Sequence, residues 1–87
     1  MLRNMEYVYE VYKQGSFTKA AKSLYVSQPC LSALVKKTEE QLGFPIFNRN
    51  SNPLQLTECG QDYIRYIERM RALENDFDNY LNDLRGL

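Results

Sequence analysis

The stretch of residues 57–84 constrains the fold more than any other part of the sequence. It contains no proline, and its only glycine is Gly60, close to its start. Thr57 can cap a helix, and Glu58 would lie at the positive end of that helix. The pattern predicts a helix of about 27 residues, roughly 40 Å long at 1.5 Å per residue. A small three-helix core offers a shorter surface than this, so part of the helix needs another partner.

Apolar side chains recur along this helix with an alternating spacing of four and three residues. This heptad seam consists of Tyr66, Met70, Leu73, Phe77, Tyr80, Leu84 and Leu87, and a second row of Tyr63, Ile64, Ile67 and Leu81 widens it. One row can pack on the rest of the chain, and the surplus is most simply covered by a second copy. The predicted homodimer interface contains Tyr63, Tyr66, Ile67, Met70, Leu73, Phe77, Tyr80, Leu81 and Leu84. The alternative is a helix that lies wholly on its own core.

The first half of the chain is patterned as three shorter helices. Apolar residues at helical spacing, beginning with Leu2, predict the first helix over residues 2–14. The second is predicted over 17–24 and the third over 28–42. The boundaries carry matching local signals, which are N-cap serines, helix-ending glycines and a first-turn proline: Ser16, Ser27, Gly15, Gly43 and Pro29.

The region between the third helix and the long helix has β character. Phe44–Phe47 is short and apolar, residues 48–53 are rich in turn formers, and Leu54–Leu56 alternates with a period of two. Together these segments predict a small β-hairpin, the wing. The predicted fold is therefore mainly α, with a winged helix-turn-helix over residues 1–57 and a long dimerisation helix over 58–87.

The residues that build these elements resemble the N-terminal DNA-binding domain of LysR-type transcriptional regulators. The resemblance runs from about Met5 to Gly60, and the helix that follows resembles the linker helix of that family. It is carried by Gly15–Ala21, Leu24, Val26–Pro29, Leu31–Ser32, Glu39, Leu42–Gly43, Phe47, Arg49, Leu56–Thr57 and Gly60. The resemblance implies a bacterial regulator that binds double-stranded DNA as an antiparallel dimer. The family normally continues into an α/β effector domain, so a small-molecule effector is expected only if a further domain follows.

The resemblance places the third helix in the major groove of DNA, and the residue types agree. Gln28 lies in the first turn, where recognition helices present side chains to base edges, and a glutamine can pair bidentately with adenine. The ring of Pro29 can contact a thymine methyl group. Ser32 lies one turn on, with Ala33 beside it, and Lys36 follows within reach of phosphate. The alternative for Gln28 is a solvated residue of the first turn.

Further contacts with the DNA backbone follow from the same resemblance. The start of the second helix, with Ser16, Thr18 and Lys19, would face phosphate, and Ser27 would be both cap and phosphate donor. The family has an arginine next to the wing at the position of Arg49, against the DNA backbone or minor groove. The alternatives are simple capping for the serines and a solvated side chain for Arg49.

Charge and composition support DNA binding over catalysis. The net charge is zero, but residues 1–56 contain seven basic and four acidic residues, a balance of +3, while residues 57–87 have a balance of −3. The basic part would face DNA. The chain has no histidine and no phosphate-binding glycine loop, so an enzyme is not expected. A winged-helix docking module that binds protein in place of DNA is the alternative function.

The two cysteines are not expected to bind metal or act in catalysis. Cys30 and Cys59 are not paired in a CxxC motif, and a structural zinc site needs about four ligands. Both stand where relatives commonly have alanine, which predicts small buried residues. Thr38 stands where an apolar residue is usual. No cofactor, no metal and no membrane span are expected, and the predicted location is the cytoplasm.

Overall fold

The computed structural model describes residues 4–86. They form four helices and one two-stranded antiparallel sheet, in the order α1 (Met5–Gln14), α2 (Phe17–Leu24), α3 (Gln28–Leu42), β1 (Phe47–Asn48), β2 (Gln55–Leu56) and α4 (Glu58–Leu84). This architecture confirms the predicted winged helix-turn-helix with a long C-terminal helix. Leu2 and Leu87, which the sequence assigned to the first helix and to the heptad seam, lie outside the described residues.

The helix boundaries follow from the capping residues. The side chains of Ser16, Ser27 and Thr57 each accept a hydrogen bond from the backbone N–H three residues on. Each bond satisfies one of the donors that a helix N-terminus leaves free. Gly15 and Gly43 end α1 and α3 in the left-handed conformation, which glycine adopts at low cost.

One hydrophobic core joins α1, α2, α3 and the first three turns of α4. The buried apolar residues are Met5, Val8, Val11, Ala20, Ala21, Leu31, Val35, Ile46, Phe47, Tyr63, Ile64 and Ile67. On α3 only a narrow stripe is buried, namely Leu31, Val35 and Thr38. Thr38 is fully buried, and its hydroxyl donates to the carbonyl oxygen of Leu34 at 3.3 Å. That bond satisfies the buried hydroxyl.

The wing is shorter than the sequence predicted. Of the apolar segment before the turn, only Phe47 is in a strand, where it pairs with Leu56. Ile46 is buried, but its N–H donates to Glu39 Oε2 at 2.7 Å and its carbonyl accepts from Thr57 N at 2.9 Å. Thr57 is opposite Ile46 in the hairpin register, but the N–H of Ile46 is bonded to Glu39 and cannot make the reciprocal ladder bond, so the regular ladder begins at Phe47.

The cysteine prediction was wrong for Cys30, which is exposed on α3, while Cys59 is half-buried. Cys30 lies outside the buried stripe of α3, and a small side chain is tolerated there without burial. Both thiols are free.

The C-terminal half of α4 projects away from the core. Tyr63 and Ile67 are buried within the chain's own domain, whereas further along Leu73, Phe77, Tyr80 and Leu84 are between 56% and 68% exposed. The described residues accordingly extend over 50 × 27 × 22 Å. Among residues 4–86, no helix has both the length and the apolarity that crossing a bilayer requires.

A cluster around one tyrosine of α1 contacts α4 at the edge of the core. The hydroxyl of Tyr9 donates to Glu68 Oε2 at 3.2 Å, and the guanidinium of Arg71 lies 4.6 Å from the centre of its ring. Burial and the bond to Glu68 raise the pKa of Tyr9, so the phenol stays protonated and remains a donor. This cluster holds α4 against α1 just before the helix leaves the core.

Candidate DNA-binding surface

The turn between α2 and α3 presents the first turn of α3 to solvent. Tyr25 adopts the left-handed conformation, with a φ of 57°, and the N–H of Val26 bonds back to the carbonyl of Ala21 at 3.0 Å. The chain therefore reverses within three residues. Ser27, Gln28 and Pro29 follow, and all three are exposed.

Gln28 is held by a residue of α2. The hydroxyl of Thr18 donates to Gln28 Oε1 at 3.0 Å, across ten positions of sequence. Both residues were predicted DNA contacts, and the structure brings them together. The bond fixes the amide at the entrance to α3 and leaves both Nε2 protons directed away from Thr18.

Arg49 is anchored on α3 from the wing. Its Nη1 donates to Ser32 Oγ at 2.8 Å, and its Nη2 pairs with Glu39 Oε1 at 3.3 Å. The guanidinium lies 4.6 Å from the centre of the Phe17 ring, and that ring meets Phe47 edge to face at 5.6 Å. The side chain of Arg49 is still 38% exposed, so it keeps donors for a ligand while its direction is fixed.

The remaining predicted contacts are exposed or half-buried around these two anchored groups. Ala33 and Lys36 are exposed on α3, Lys19 is exposed on α2, and Ser16 is half-buried as the α2 cap. The Ser16 hydroxyl oxygen accepts from the backbone N–H of Lys19 at 3.2 Å, which joins two of the predicted contacts. The surface therefore has two pre-oriented polar side chains, Gln28 and Arg49, beside the exposed side chains of Lys19, Ala33 and Lys36.

Sequence reasoning assigned no functional role to two residues that build this surface. Glu39 accepts bonds from both Arg49 and the backbone of Ile46, so it joins the wing to α3. Phe17 forms the apolar support under the guanidinium of Arg49. Glu39 was part of the family resemblance, and that was its only signal, since the contacts join residues seven to 32 positions apart.

Comparison with known proteins identifies the group to which this fold and surface belong. Residues 2–61 match the family model described as bacterial regulatory helix-turn-helix protein, lysR family. The chain belongs to the lysR family. Its fold matches the solved DNA complex of the BenM DNA-binding domain at catB site 1, with a TM-score of 0.85 and 30% identity over 99% of this chain and 94% of that one.

Curated relatives of this lysR-family chain have been named as regulators. It is 43% identical over 74 residues to a probable RuBisCO transcriptional regulator of Cyanidioschyzon merolae, covering 85% of this chain and 24% of the relative. A protein of the same name from Cyanidium caldarium is 46% identical over 85% of this chain and 23% of its own length. The chain thus spans about a quarter of these relatives. Family and relatives are transcriptional regulators and not enzymes, and the relatives extend beyond the bacteria.

Proposed function

We propose that this domain reads a specific DNA sequence with α3 and binds it as a homodimer on an interrupted palindrome. The observation that carries the proposal is the exposed first turn of α3, on which Thr18 holds the amide of Gln28. Membership of the lysR family of regulatory helix-turn-helix proteins supports the same proposal. Such a protein would be located in the compartment that contains its target DNA. We propose that this compartment is the cytoplasm.

The amide of Gln28 matches the edge that a purine presents in the major groove. With Thr18 donating to it, Oε1 keeps a second lone pair, and Nε2 keeps two protons. This is the donor and acceptor pair that adenine N7 and N6 require. A pre-oriented amide loses little side-chain entropy on binding, which favours specific over random DNA. Pro29 and Ala33 add apolar contacts for a thymine methyl group in the same groove.

Arg49 supplies affinity more than sequence information. Its guanidinium is fixed between Glu39 and Ser32 at the edge of α3, next to the wing. From there it can meet the phosphate backbone or the minor groove, where its charge is favourable with any sequence. Lys19, Lys36 and the caps of α2 and α3 would add further phosphate contacts.

The dimer is proposed through the exposed part of α4. Tyr66, Leu73, Phe77, Tyr80 and Leu84 are exposed in the single chain, Met70 and Leu81 are half-buried, and these residues follow the predicted seam. Covering such a row of apolar side chains with a second helix removes apolar surface from water and so stabilises the dimer. Tyr63 and Ile67, which the sequence also assigned to this interface, are already buried in the chain's own core. They would therefore pack beneath the interface residues without contacting the second copy directly.

Binding titrations at several salt concentrations test separately the proposed base contact of Gln28 and the proposed backbone contact of Arg49. Gln28→Ala should cost about 1–3 kcal/mol on the preferred site and little on random DNA. Arg49→Ala should weaken both kinds of DNA similarly and reduce the salt slope by about one unit. Gln61→Ala, an exposed residue of α4, is the matched control. Equal losses on both DNAs with Gln28→Ala would show that α3 is not the reader.

Sedimentation tests the dimer. Phe77→Asp should give monomers, because it places a charge in the seam, while the same charge at the exposed neighbour Asn79 should leave the dimer intact. A parent chain that is monomeric at high micromolar concentration would refute the interface.

Two half-sites about 34 Å apart, or a multiple of this distance, are expected from two-fold symmetry. If the parent binds no DNA at low salt, the protein-docking function is the better proposal.

Regulation by a small molecule is a proposal about the whole protein, and it holds only if a further domain follows. The chain spans about a quarter of its curated relatives. The polar surface around Gln28 and Arg49 contacts DNA in our proposal, and the seam contacts the second copy.

A further inference from the structure

Tyr25 is an unusual residue for the left-handed C-cap that ends α2, where glycine or asparagine is usual. Its side chain is 95% exposed, the highest value among the large apolar and aromatic residues within 4–86. Its backbone is left-handed, with a φ of 57°, and it is the only residue other than glycine with a positive φ in the described part of the chain. L-residues other than glycine, asparagine and aspartate rarely adopt this conformation, which costs free energy.

The side chain of Tyr25 does not stabilise the fold in a way that would offset this strain. A ring that is almost fully exposed buries no apolar area, so glycine or asparagine would fit this position of the turn better. The backbone bonds of Tyr25, from its N–H to the carbonyls of Ala21 and Lys22, would form with any residue. An observed strained residue without a structural benefit indicates a role in contacts outside the chain.

The position of Tyr25 indicates what it contacts. It lies three residues before Gln28, so at most about 10 Å separates the two Cα atoms. The major groove is about 12 Å wide, and phosphates line both of its edges. An exposed side chain within this distance of the proposed groove-reading residue is close enough to reach a phosphate at the edge of the groove. Its phenol offers an O–H donor without charge.

We infer that the Tyr25 hydroxyl donates a hydrogen bond to a DNA phosphate at the edge of the groove that α3 enters. The inference rests on the proposed function. It adds a contact to the surface formed by α2 and α3, from the turn between them, and gives the exposed tyrosine a ligand. Because the phenol is neutral, it would contribute affinity without releasing a counterion, unlike Lys19 or Arg49.

The experiment compares Tyr25→Phe with the parent on specific and random DNA over a range of salt. Removing the hydroxyl should weaken binding to both DNAs about tenfold, the effect of one hydrogen bond to a charged acceptor. The salt slope should not change, whereas Lys19→Ala should lower it by about 0.9. Tyr12→Phe, which alters an exposed tyrosine of α1, is the matched control and should bind as the parent does.

A second variant separates the contact from the fold. Tyr25→Asn should melt at the same temperature as the parent or higher, because asparagine tolerates the left-handed conformation, yet bind DNA as weakly as Tyr25→Phe. If Tyr25→Phe binds both DNAs as tightly as the parent, the inference is wrong, whether the ring serves a protein partner or nothing. If the parent itself binds no DNA, the proposed function fails first.

Discussion

Replacing Gly60 with alanine should destabilise the domain, although it adds only one methyl group. A Cβ atom at this position would overlap the carbonyl oxygen of Ile46 and lie 2.9 Å from its carbonyl carbon. Both are backbone atoms, so no side-chain rotation relieves the overlap. Either α4 or the segment before β1 must move, and Ile46 is fully buried.

The magnitude follows from the contacts that such a movement would break. The carbonyl of Ile46 accepts from Thr57 N at 2.9 Å, and the single proton of Thr57 Oγ1 is shared between the carbonyl oxygens of Pro45 at 2.6 Å and Ile46 at 3.1 Å. The N–H bond and the shared hydroxyl bond contribute about 1 kcal/mol each. Overpacking a core adds about 1–3 kcal/mol, while the better helix propensity of alanine returns at most about 1 kcal/mol. The expected loss is roughly 2–4 kcal/mol. For a domain of this size, that lowers the Tm by about 10–25 °C.

Thermal unfolding followed by circular dichroism measures this loss. Gln61→Ala changes an exposed residue in the same turn of α4 and should alter stability by less than about 0.5 kcal/mol. Gly43→Ala should cost only about 1–2 kcal/mol, because its φ of 84° is strained for alanine but its Cβ would meet open space. If Gly60→Ala melts together with Gln61→Ala, the close approach of α4 to Ile46 does not occur and the reasoning is refuted.

Three further outcomes are expected. Tyr63→Phe should raise stability by roughly 1 kcal/mol in thermal unfolding, since the Tyr63 hydroxyl is buried with no hydrogen-bond partner within residues 4–86, and burial raises its pKa; a loss of stability would mean that the hydroxyl has a partner. Bonds from Gln14 and Ser23 lower the pKa of Glu10 from its usual 4.5, so their stabilisation is present above pH 4.5 and disappears as the pH falls through the lowered pKa. Ser23→Ala should therefore lower the free energy of unfolding in urea by about 1 kcal/mol at neutral pH and by much less in acid. Equal losses at both pH values would show that the Ser23 hydroxyl does not bond to the ionised carboxylate of Glu10. A thiol reagent should modify the exposed Cys30 of the folded protein faster than Cys59, and Cys30→Ala should fold as the parent does; slow labelling at both sites would contradict the exposure of Cys30.

The helices could be predicted from sequence because their boundaries are local. Ser16 and Ser27 cap the helices that they precede, and Gly43 ends α3 at the residue the sequence indicated. A capping bond spans three residues, so the pattern of residue types contains the whole interaction. Local patterns did not determine the wing, because Ile46 bonds to Glu39 and Thr57, seven and eleven residues away.

The same distinction applies to the surface that is proposed to bind DNA. The sequence indicated Gln28 and Arg49 as separate candidates, but not that Thr18 and Ser32 hold them. Those contacts depend on how α2 and the wing pack on α3. Cys30 was expected to be buried because relatives commonly have alanine there, yet alanine is equally tolerated on a surface.

The projecting part of α4 would act as a ruler in the proposed dimer. Beyond Arg71 the seam residues Leu73, Phe77, Tyr80 and Leu84 are exposed, so the number of residues between the core and this part of the seam would fix the distance and the angle between the two reading helices. One residue inserted after Ala72 would add about 1.5 Å and turn the seam by about 100°. An inserted heptad would add about 10.5 Å and keep the phase within about 20°.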